Sequence, residues 1–514
     1  MWPLPNPNAN SDALRAFGWL LLAVCLAYAN TLGTPFQFDD YKVIVHFPGV
    51  HSWDAWREGL THGIRPLLKA SYTLDWTLGL GVTGFHLSNL AIHLLNGWLV
   101  YRLTQHYCAH HAGLPASLPL FVALLFVLHP AHSEAVSYIS GRSSSLMTLF
   151  YLLGLLAYTR GRQQTSALHL HLLTPLCFVA ALLCKETAVT FPFALLLWER
   201  FALNNHTHAF KQNNPLEREP VIPAQAGIQQ DNNASCSSPL DGRSSKLADG
   251  SFSGLRRNDH ANGRSGFKAQ WTSWAMLLAA ALLFLFSETF QSHMLRSAQF
   301  NTLSGNLATQ ANGMLWMLQQ WLLPLWLNID PNLPLYRSAS AAQLPVLAML
   351  ILGITAWWLR KQRPWWSFAL AWAMLQLLPL YVLLPRLDIA NERQLYLVGW
   401  PLALALCIEL SSHLNARTAR IAMLALLLAT ALLTAQRNLD YRSEITLWQA
   451  TAQQSPNKAR VHNNLGYAWL LAGNNDEARR EFQRALQLDP QHAEAAGNLR
   501  RLENTTPGAM PGVQ

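Results

Sequence analysis

The apolar residues of this chain occur in blocks of about 20, and these blocks constrain its fold more than any other feature. A helix of that length crosses the hydrocarbon layer of a bilayer. Charged residues make up only 13% of the 514 positions, whereas a soluble protein carries about 25%. The sequence therefore predicts an all-α, polytopic membrane protein with soluble segments attached, and it excludes a wholly soluble enzyme.

We predict about eleven membrane-spanning helices. Basic residues of short loops are retained on the cytoplasmic side, and Arg102, Arg160 and Arg200 share that side if the N-terminus is cytoplasmic. The C-terminal region then lies outside, in a periplasm or lumen. Residues 312–328 are apolar but contain two glutamines and a proline, which favours an interfacial or re-entrant helix over a further span. The predicted spans are 14–33, 86–104, 116–132, 144–160, 168–184, 187–203, 272–290, 342–359, 365–385, 395–411 and 418–435.

Polar segments divide the chain into modules. Residues 204–270 are rich in Asn, Ser, Gly and charge without a hydrophobic period, so they predict a disordered cytoplasmic loop. Their PVIPAQAGIQ stretch resembles a translated repeat element of Gram-negative genomes, which indicates an insertion. The N-terminal membrane module is 1–203 and includes a candidate catalytic external loop at 34–85. The inserted loop is 204–270, and the second membrane module is 271–436 with its own external loop at 291–341. The repeat region is 437–503, and a disordered tail follows at 504–514.

Residues 459–492 form a 34-residue pattern of two helices. Gly466 and Ala478 are small where the two helices must approach closely, and Pro490 ends the second helix. These are signature positions of a tetratricopeptide repeat. Trp448 marks an upstream half-repeat, and a further helix follows. The pattern predicts a short α-hairpin domain that packs on the membrane module or on partner repeats.

The net charge of +9 does not indicate nucleic acid as a partner. Basic residues that flank membrane spans raise the net charge by themselves, and no zinc-finger or RNA-binding signature occurs. We expect the lipid bilayer as a partner and no nucleic acid. Residues 79–84 match GxGxxG, but no βαβ unit surrounds them, so the glycines predict a turn.

Adjacent carboxylates at Asp39 and Asp40 begin the external loop 34–85 directly after the first span. Placing two ionised carboxylates beside the low-dielectric bilayer interior costs free energy. They are either solvated loop residues or a carboxylate base or metal ligand at the membrane surface. The sequence alone leaves both interpretations open.

Further polar clusters fall in the other turns predicted on the external side. The turn HPAHSEAVSYISGR holds His132, Glu134 and Arg142, for which capping, metal ligation with His129 and anion binding all remain open. A carboxylate pair and several cations on one membrane face suit a reaction that deprotonates a nucleophile and stabilises an anionic leaving group. The remaining candidates on that face are Arg65, Lys185, Glu186 and Arg393.

Several short motifs occur here in a characteristic order. They are FDDY after the first span, RPL, GFHLSNLAIHLLNGWLVYRL, HPAHSEAVSYISGR, CKETAVTFP, NERQLYL and the C-terminal repeat. In this order the chain resembles the transmembrane-and-tetratricopeptide-repeat O-mannosyltransferase family and its bacterial relatives, which are glycosyltransferases of the GT-C class. The resemblance covers nearly the whole chain except residues 204–270.

The resemblance implies a chemistry for the external site. The donor would be a polyprenyl-phosphate sugar, with mannose as the expected sugar, and the acceptor a protein Ser or Thr hydroxyl. Asp39 or Asp40 would be the base of an inverting attack. The expected donor-phosphate and acceptor-binding residues are Arg65, His132, Glu134, Arg142, Lys185, Glu186 and Arg393.

The same resemblance implies no required cofactor, although a divalent metal stays open. The tetratricopeptide repeat would present the acceptor protein. We expect a bacterial inner-membrane protein whose repeat region is periplasmic. An inactive polytopic scaffold that recruits envelope proteins is the main alternative, and a transporter or polysaccharide ligase is a further one. A transporter predicts charged residues near the bilayer midplane and an inverted repeat, and the sequence has neither.

Overall fold

The described part of the chain is helical. The computed structural model describes residues 9–60, 64–111, 113–203, 269–279, 301–378, 382 and 388–504. These ranges contain no strand, which confirms the all-α prediction for this part of the chain. The predicted loop 204–270 lies outside the described residues except for its last two positions, as do most of the span 272–290 and residues 505–514 of the predicted tail.

Nine labelled helices form the N-terminal membrane module. They are α1 (Ala9–Tyr28), α2 (Trp53–Glu58), α3 (Pro66–Leu78), α4 (Gly81–Ala109), α5 (Leu118–Leu128), α6 (Ser133–Val136), α7 (Arg142–Gln164), α8 (Thr174–Leu182) and α9 (Phe191–Trp198). The GxGxxG glycines make the predicted turn, because Gly79 and Gly81 have φ angles of +67° and +60° at the junction of α3 and α4.

Within the described ranges, five further labelled helices belong to the second membrane module and four to the repeat region. The membrane helices are α10 (Leu303–Leu322), α11 (Gln343–Leu359), α12 (Pro364–Leu377), α13 (Gly399–His413) and α14 (Ala416–Asp440). The repeat helices are α15 (Glu444–Gln454), α16 (Ala459–Leu471), α17 (Asn475–Leu488) and α18 (Ala493–Asn504).

Three described helical segments are long and apolar enough to cross a membrane: Ser11–Thr31, Ser340–Leu359 and Ala416–Asp440. A fourth crossing results if Leu118–Leu128 and Pro130–Val136, which meet at 56°, form one bent span. The count of eleven therefore stays a prediction. Helix α4 illustrates the difference, because it has 29 residues but buries histidines and asparagines that reduce its hydropathy.

The core of the membrane module depends on close helix contacts. At Gly97 of α4, a Cβ atom would lie 2.4 Å from Val127 Cγ1, so only glycine lets α4 approach α5 this closely. His93, four residues earlier on α4, bonds to the Val127 carbonyl through Nε2 at 3.1 Å and to the Tyr396 hydroxyl through Nδ1 at 2.6 Å. Polar residues of α4 thus connect α5 with the residues just before α13.

The repeat region has the predicted hairpin. A Cβ atom at Gly466 of α16 would lie 2.8 Å from the Phe482 ring of α17, as the sequence pattern requires. Trp448 of α15 packs in one apolar cluster with Val461 and Leu465 of α16, and Ile329 of the segment after α10 packs against this cluster. The repeat region therefore packs on the membrane module, one of the two arrangements that the sequence predicts.

Candidate functional site

A cavity of about 400 Å³ lies where loops of the membrane module that are predicted to be external meet the repeat region. Five segments of the chain form its wall: the loop after α1, the turn before α7, the segment after α10, the turn before α13 and the start of the repeat region. The lining residues are Phe38, Asp39, Glu134, Tyr138, Ile329, Asp330, Asp388, Asn391, Arg393, Tyr441, Leu447, Trp448 and Arg460.

The two adjacent aspartates have different surroundings. Asp39 is half-buried and lines the cavity, and its backbone N–H donates to the Tyr138 hydroxyl at 2.9 Å. Asp40 is buried away from the cavity. Its carboxylate accepts from the Ser140 N–H at 2.8 Å, from the Ser140 hydroxyl, and from the Gln37 N–H at 3.0 Å. Of the pair, Asp39 is the one that a ligand in the cavity can reach.

Burial raises the pKa of the Asp40 carboxyl from 3.8 to about 7, against the hydrogen bonds that favour its ionised form. The two hydrogen bonds from Ser140 connect the loop after α1 to the turn before α7, and the one from Gln37 lies within the loop. These contacts make Asp40 a positioning residue that fixes the backbone next to Asp39.

Phe38 precedes Asp39 in an unusual backbone conformation. Its φ angle is +45°, in the left-handed region that residues other than glycine seldom adopt. The Phe38 ring packs edge-to-face on Trp448 of the repeat region, with the ring centroids 5.1 Å apart. Such conformations persist where the surroundings enforce them, and here the repeat region supplies part of that support.

Glu134 and Arg393 form an ion pair in the cavity wall. The Arg393 backbone N–H donates to Glu134 Oε2 at 2.9 Å, and the guanidinium Nε lies 3.3 Å from Oε1. Asp388 lies 3.9 Å from the same guanidinium. Burial disfavours the charged guanidinium, but the neighbouring Glu134, Tyr138 and Asp388 outweigh it and raise the pKa of Arg393. The cavity therefore holds a fixed cation beside Asp39.

A second buried ion pair supports the turn before α13, which carries Arg393. The Arg437 guanidinium of α14 donates to Glu392 Oε1 and to Asp440 Oδ2, each at 2.7 Å. Burial raises the pKa of Glu392 to about 8, and the Arg437 charge opposes this increase. This pair anchors the turn before α13 to the end of α14.

Arg142 does not line the cavity. Its side chain is fully buried, and its guanidinium forms a 2.6 Å ion pair with Asp75 of α3. It also donates to Asn89 Oδ1 at 2.6 Å and to the carbonyls of Ser71 and Phe85 at 3.1 and 2.8 Å. The prediction that Arg142 contacts the donor phosphate finds no support here, because these contacts fix α3 and α4 against α7.

The structure also places three other predicted cations and acids outside the cavity wall. Arg65 pairs with Glu186 through a two-pronged contact, with an Nη2–Oε1 distance of 2.8 Å, and both side chains remain about a quarter to a third exposed. Lys185 is buried and donates to Ser144 Oγ at 2.8 Å. These three residues lie together near the start of α3 and form a separate polar group.

His132 is buried among aromatic rings. Its Nδ1 bonds to the Phe126 carbonyl at 2.8 Å, and a Cβ atom at Gly399 would lie 2.3 Å from its Nε2. His129, the other candidate metal ligand in this turn, bonds through Nε2 to the Trp321 carbonyl at 3.0 Å. In the described ranges no group of three His, Cys, Asp or Glu side chains is arranged to hold a metal ion.

The repeat region contributes a part of the site that the sequence did not reveal. Asp330 is buried and pairs with Lys458 Nζ at 2.6 Å and with the Arg460 guanidinium, whose Nε lies 2.9 Å from Oδ2. Ser455 accepts hydrogen bonds from the Asn328 amide at 2.8 Å and from a backbone N–H of the same segment. The clamp formed by Asp330, Lys458 and Arg460 holds the repeat region on the membrane module.

Asp330 and Arg460 lie 130 positions apart, so no local pattern relates them. The available signal is weak: an acidic residue in an apolar segment, and two basic residues at the start of a repeat helix. Tyr138 and Tyr441 were likewise missed, because tyrosines at the ends of membrane helices are common.

Together these features define a helical membrane protein with a polar cavity that a tetratricopeptide region completes. Residues 459–492 match the family model of the tetratricopeptide repeat. The chain is 26% identical to Protein O-mannosyl-transferase TMTC1 of Homo sapiens, over 94% of this chain and 56% of that protein. It is 27% identical to Protein O-mannosyl-transferase Tmtc3 of Drosophila melanogaster, over 97% of this chain and 58% of that protein.

The chain is a relative of these transmembrane and tetratricopeptide-repeat O-mannosyl-transferases, as the order of its motifs predicts. A higher identity of 35% to Protein O-mannosyl-transferase Tmtc1 of Drosophila melanogaster covers 37% of this chain and 23% of that protein. The chain spans somewhat more than half the length of the first two relatives. No solved structure matches it.

Proposed function

We propose that this protein is an integral membrane glycosyltransferase of the GT-C class. It transfers a sugar, expected to be mannose, from a polyprenyl phosphate to a protein Ser or Thr hydroxyl on the periplasmic side of a bacterial inner membrane. The observation that carries this proposal is the position of Asp39, a cavity-lining carboxylate that shares the cavity with the cation Arg393. The relatives' names support the type of transfer and its protein acceptor.

In this mechanism, Asp39 accepts the proton of the acceptor hydroxyl as the oxygen attacks the anomeric carbon. A bond forms between that carbon and the acceptor oxygen, and the bond to the lipid phosphate oxygen breaks. The lipid phosphate leaves on the opposite face, so the anomeric configuration inverts. Arg393, fixed by Glu134, stabilises the negative charge that develops on the phosphate. Neither step requires a metal ion.

Asp40, Glu134 and Glu392 act on the reacting groups through their neighbours. Asp40 fixes the backbone next to Asp39, Glu134 holds the Arg393 guanidinium, and Glu392 holds the turn that carries Arg393. Such positioning contributes a large part of the rate enhancement in a transfer reaction, because the reacting atoms must be in line before the bonds change.

The proposal is tested with the purified full chain, a polyprenyl-phosphate mannose donor and a Ser/Thr-rich peptide acceptor. Asp39→Asn removes the base and keeps the side-chain shape, so we expect kcat to decrease by about 10²–10⁴. The matched control is Asp54→Asn, because Asp54 lies in the same external loop and its side chain is 83% exposed. If Asp39→Asn transfers as well as wild type, the assignment of Asp39 as the base is wrong. If wild type transfers nothing, the enzyme assignment is wrong and the scaffold alternative takes its place.

A further inference from the structure

Two cavity-lining side chains that the proposed mechanism does not use each carry an unsatisfied polar atom. Asn391 and Tyr441 are only 3% and 1% exposed, and both line the cavity that holds Asp39. In the described part of the chain, Asn391 Oδ1 and the Tyr441 hydroxyl have no hydrogen-bond partner. A buried polar group without a partner costs free energy. Such groups in a cavity wall therefore indicate where a ligand supplies the missing partners.

The amide of Asn391 is held in one orientation. Its Nδ2 donates to Asp388 Oδ2 at 2.9 Å. Because an ionised carboxylate only accepts hydrogen bonds, the nitrogen must face Asp388, and the amide oxygen remains for another group. The backbone carbonyl of Asn391 accepts from the Gln394 N–H at 3.2 Å. Asn391 therefore presents a hydrogen-bond acceptor from the same turn that carries Arg393.

Tyr441 is fixed to the loop that carries Asp39. Its backbone carbonyl accepts a hydrogen bond from the side-chain amide of Gln37, two residues before Asp39. Its ring packs in one apolar cluster with Tyr138, and the Arg437 guanidinium lies 5.3 Å from the ring centroid. These contacts hold the ring in place. They leave the hydroxyl, which can both donate and accept, free for a ligand.

The positions and the chemistry of these two groups suit the transferred sugar. In the proposed mechanism, the anomeric carbon lies between Asp39, which receives the acceptor's proton, and Arg393, which stabilises the phosphate. Tyr441 is attached to the loop of the first, and Asn391 belongs to the turn of the second. Both side chains are neutral, and they complement sugar hydroxyl groups, which donate and accept. A phosphate gains more from a guanidinium, because hydrogen bonds between ionised groups are stronger.

We propose that Asn391 and Tyr441 bind hydroxyl groups of the donor's sugar ring and thereby select the sugar that is transferred. This inference rests on the proposed function, because it assigns sugar recognition to the cavity in which the transfer takes place. Asn391 Oδ1 accepts from one hydroxyl group, and the Tyr441 hydroxyl pairs with another. A site built around a substrate hydroxyl rejects analogues that lack it, because its own buried groups then stay unpaired. Since Tyr441 belongs to the repeat region, that region takes part in sugar selection.

Binding of donors without an acceptor tests this sugar site separately from transfer. The probes are a short-chain polyprenyl-phosphate mannose, its monodeoxy analogues and the same polyprenyl phosphate without a sugar. Each is titrated calorimetrically into the full chain in detergent. Tyr441→Phe should bind the mannose donor roughly tenfold more weakly, which corresponds to the loss of one hydrogen bond of about 1.4 kcal/mol. The same variant should bind the sugar-free phosphate as wild type does.

The monodeoxy donors show which hydroxyl group each side chain binds. Wild type should bind one of them roughly tenfold more weakly than the mannose donor. For that donor, Tyr441→Phe should cause no further loss, because the pair is already broken. Asn391→Ala should behave in the same way toward a donor that lacks a different hydroxyl group.

Tyr107→Phe is the matched control. Tyr107 of α4 is also fully buried, and its hydroxyl has no partner among the described residues, but it does not line the cavity. This variant should bind every donor as wild type does. Tyr441→Phe removes only an oxygen without a partner, so it should fold normally even if Asn391→Ala, which also loses the Asp388 contact, does not.

Unchanged binding of the mannose donor by Tyr441→Phe and by folded Asn391→Ala would overturn the proposal. Equal weakening of the sugar-free phosphate would overturn it as well, because the contact would then be to the phosphate. Donor binding by wild type without transfer to any acceptor contradicts the proposed function and leaves the sugar site intact. Transfer by wild type, with the same donor KM in both variants, contradicts the sugar site alone.

Discussion

Replacing Arg142 with Met should destabilise the protein without a specific effect on the donor. The change keeps an unbranched side chain but removes the guanidinium, which is fully buried and lies 2.6 Å from Asp75. Asp75 is only 2% exposed and would remain as a buried charge, with the Ser88 hydroxyl at 2.6 Å as a remaining donor. Removing one partner of a buried ion pair costs about 3–5 kcal/mol.

The carbonyls of Ser71 and Phe85 lose donors in the same variant, which places the expected loss toward the upper part of that range. Asp75→Asn in the Arg142→Met background removes the unpaired charge and keeps the side-chain shape. We expect this second change to recover about 2 kcal/mol or more, the part that comes from the uncompensated carboxylate.

The assay is reversible unfolding of the full chain in detergent micelles, for wild type, both single variants and the double variant. Transfer activity per folded molecule is measured in parallel. Our interpretation requires a large loss in Arg142→Met, partial recovery in the double variant and an unchanged KM for the lipid donor. A stability within about 0.5 kcal/mol of wild type, together with a raised donor KM, would show that Arg142 contacts the donor phosphate after all.

Three further results are expected. Burial raises the pKa of Asp40 to about 7, so its ionisation disfavours the folded state. The free energy of unfolding should therefore decline as the pH rises from about 4 to about 7. Asp40→Asn should remove this decline from a pH titration of unfolding. Asp330→Asn should weaken the clamp by about 2–3 kcal/mol, because charge-assisted hydrogen bonds are lost. Faster hydrogen exchange in α15 and α16 would reveal this loss. Exchange equal to that of wild type would mean that the apolar contacts alone hold the repeat region on the membrane module. Gly97→Ala places a methyl group 2.4 Å from Val127 Cγ1 and should cost about 1–3 kcal/mol in the same unfolding assay, whereas a neutral result would show that α4 and α5 separate easily.

The sequence predicted three of the groups that meet in the cavity, but not their individual roles. Asp39, Glu134 and Arg393 were candidates because each follows or precedes an apolar block, and the structure brings all three to the cavity. The same reasoning included Arg142, which is buried elsewhere. A charged residue beside an apolar helix has the same pattern whether it faces a cavity or a buried counterion, and only the position of Asp75 distinguishes the two.

The contribution of the repeat region was unpredictable for a different reason. A repeat signature predicts the contacts within α16 and α17, since small residues at fixed spacing determine that packing. It contains no information on the surface to which the repeat docks. The contacts of Asp330 with Lys458 and Arg460 depend on the path of the chain between the two modules, which local spacing cannot specify.

The most direct test of the central claim is mass spectrometry of the proteins modified in the native cell. A strain that lacks this protein is complemented with wild type, Asp39→Asn or Asp54→Asn at equal protein levels, and envelope peptides are examined for hexose on Ser and Thr. We predict that the modification is present with wild type and Asp54→Asn and absent with Asp39→Asn. Full modification in the Asp39→Asn strain would contradict the assignment of Asp39 as the base and, with it, the account of this cavity as the site of sugar transfer.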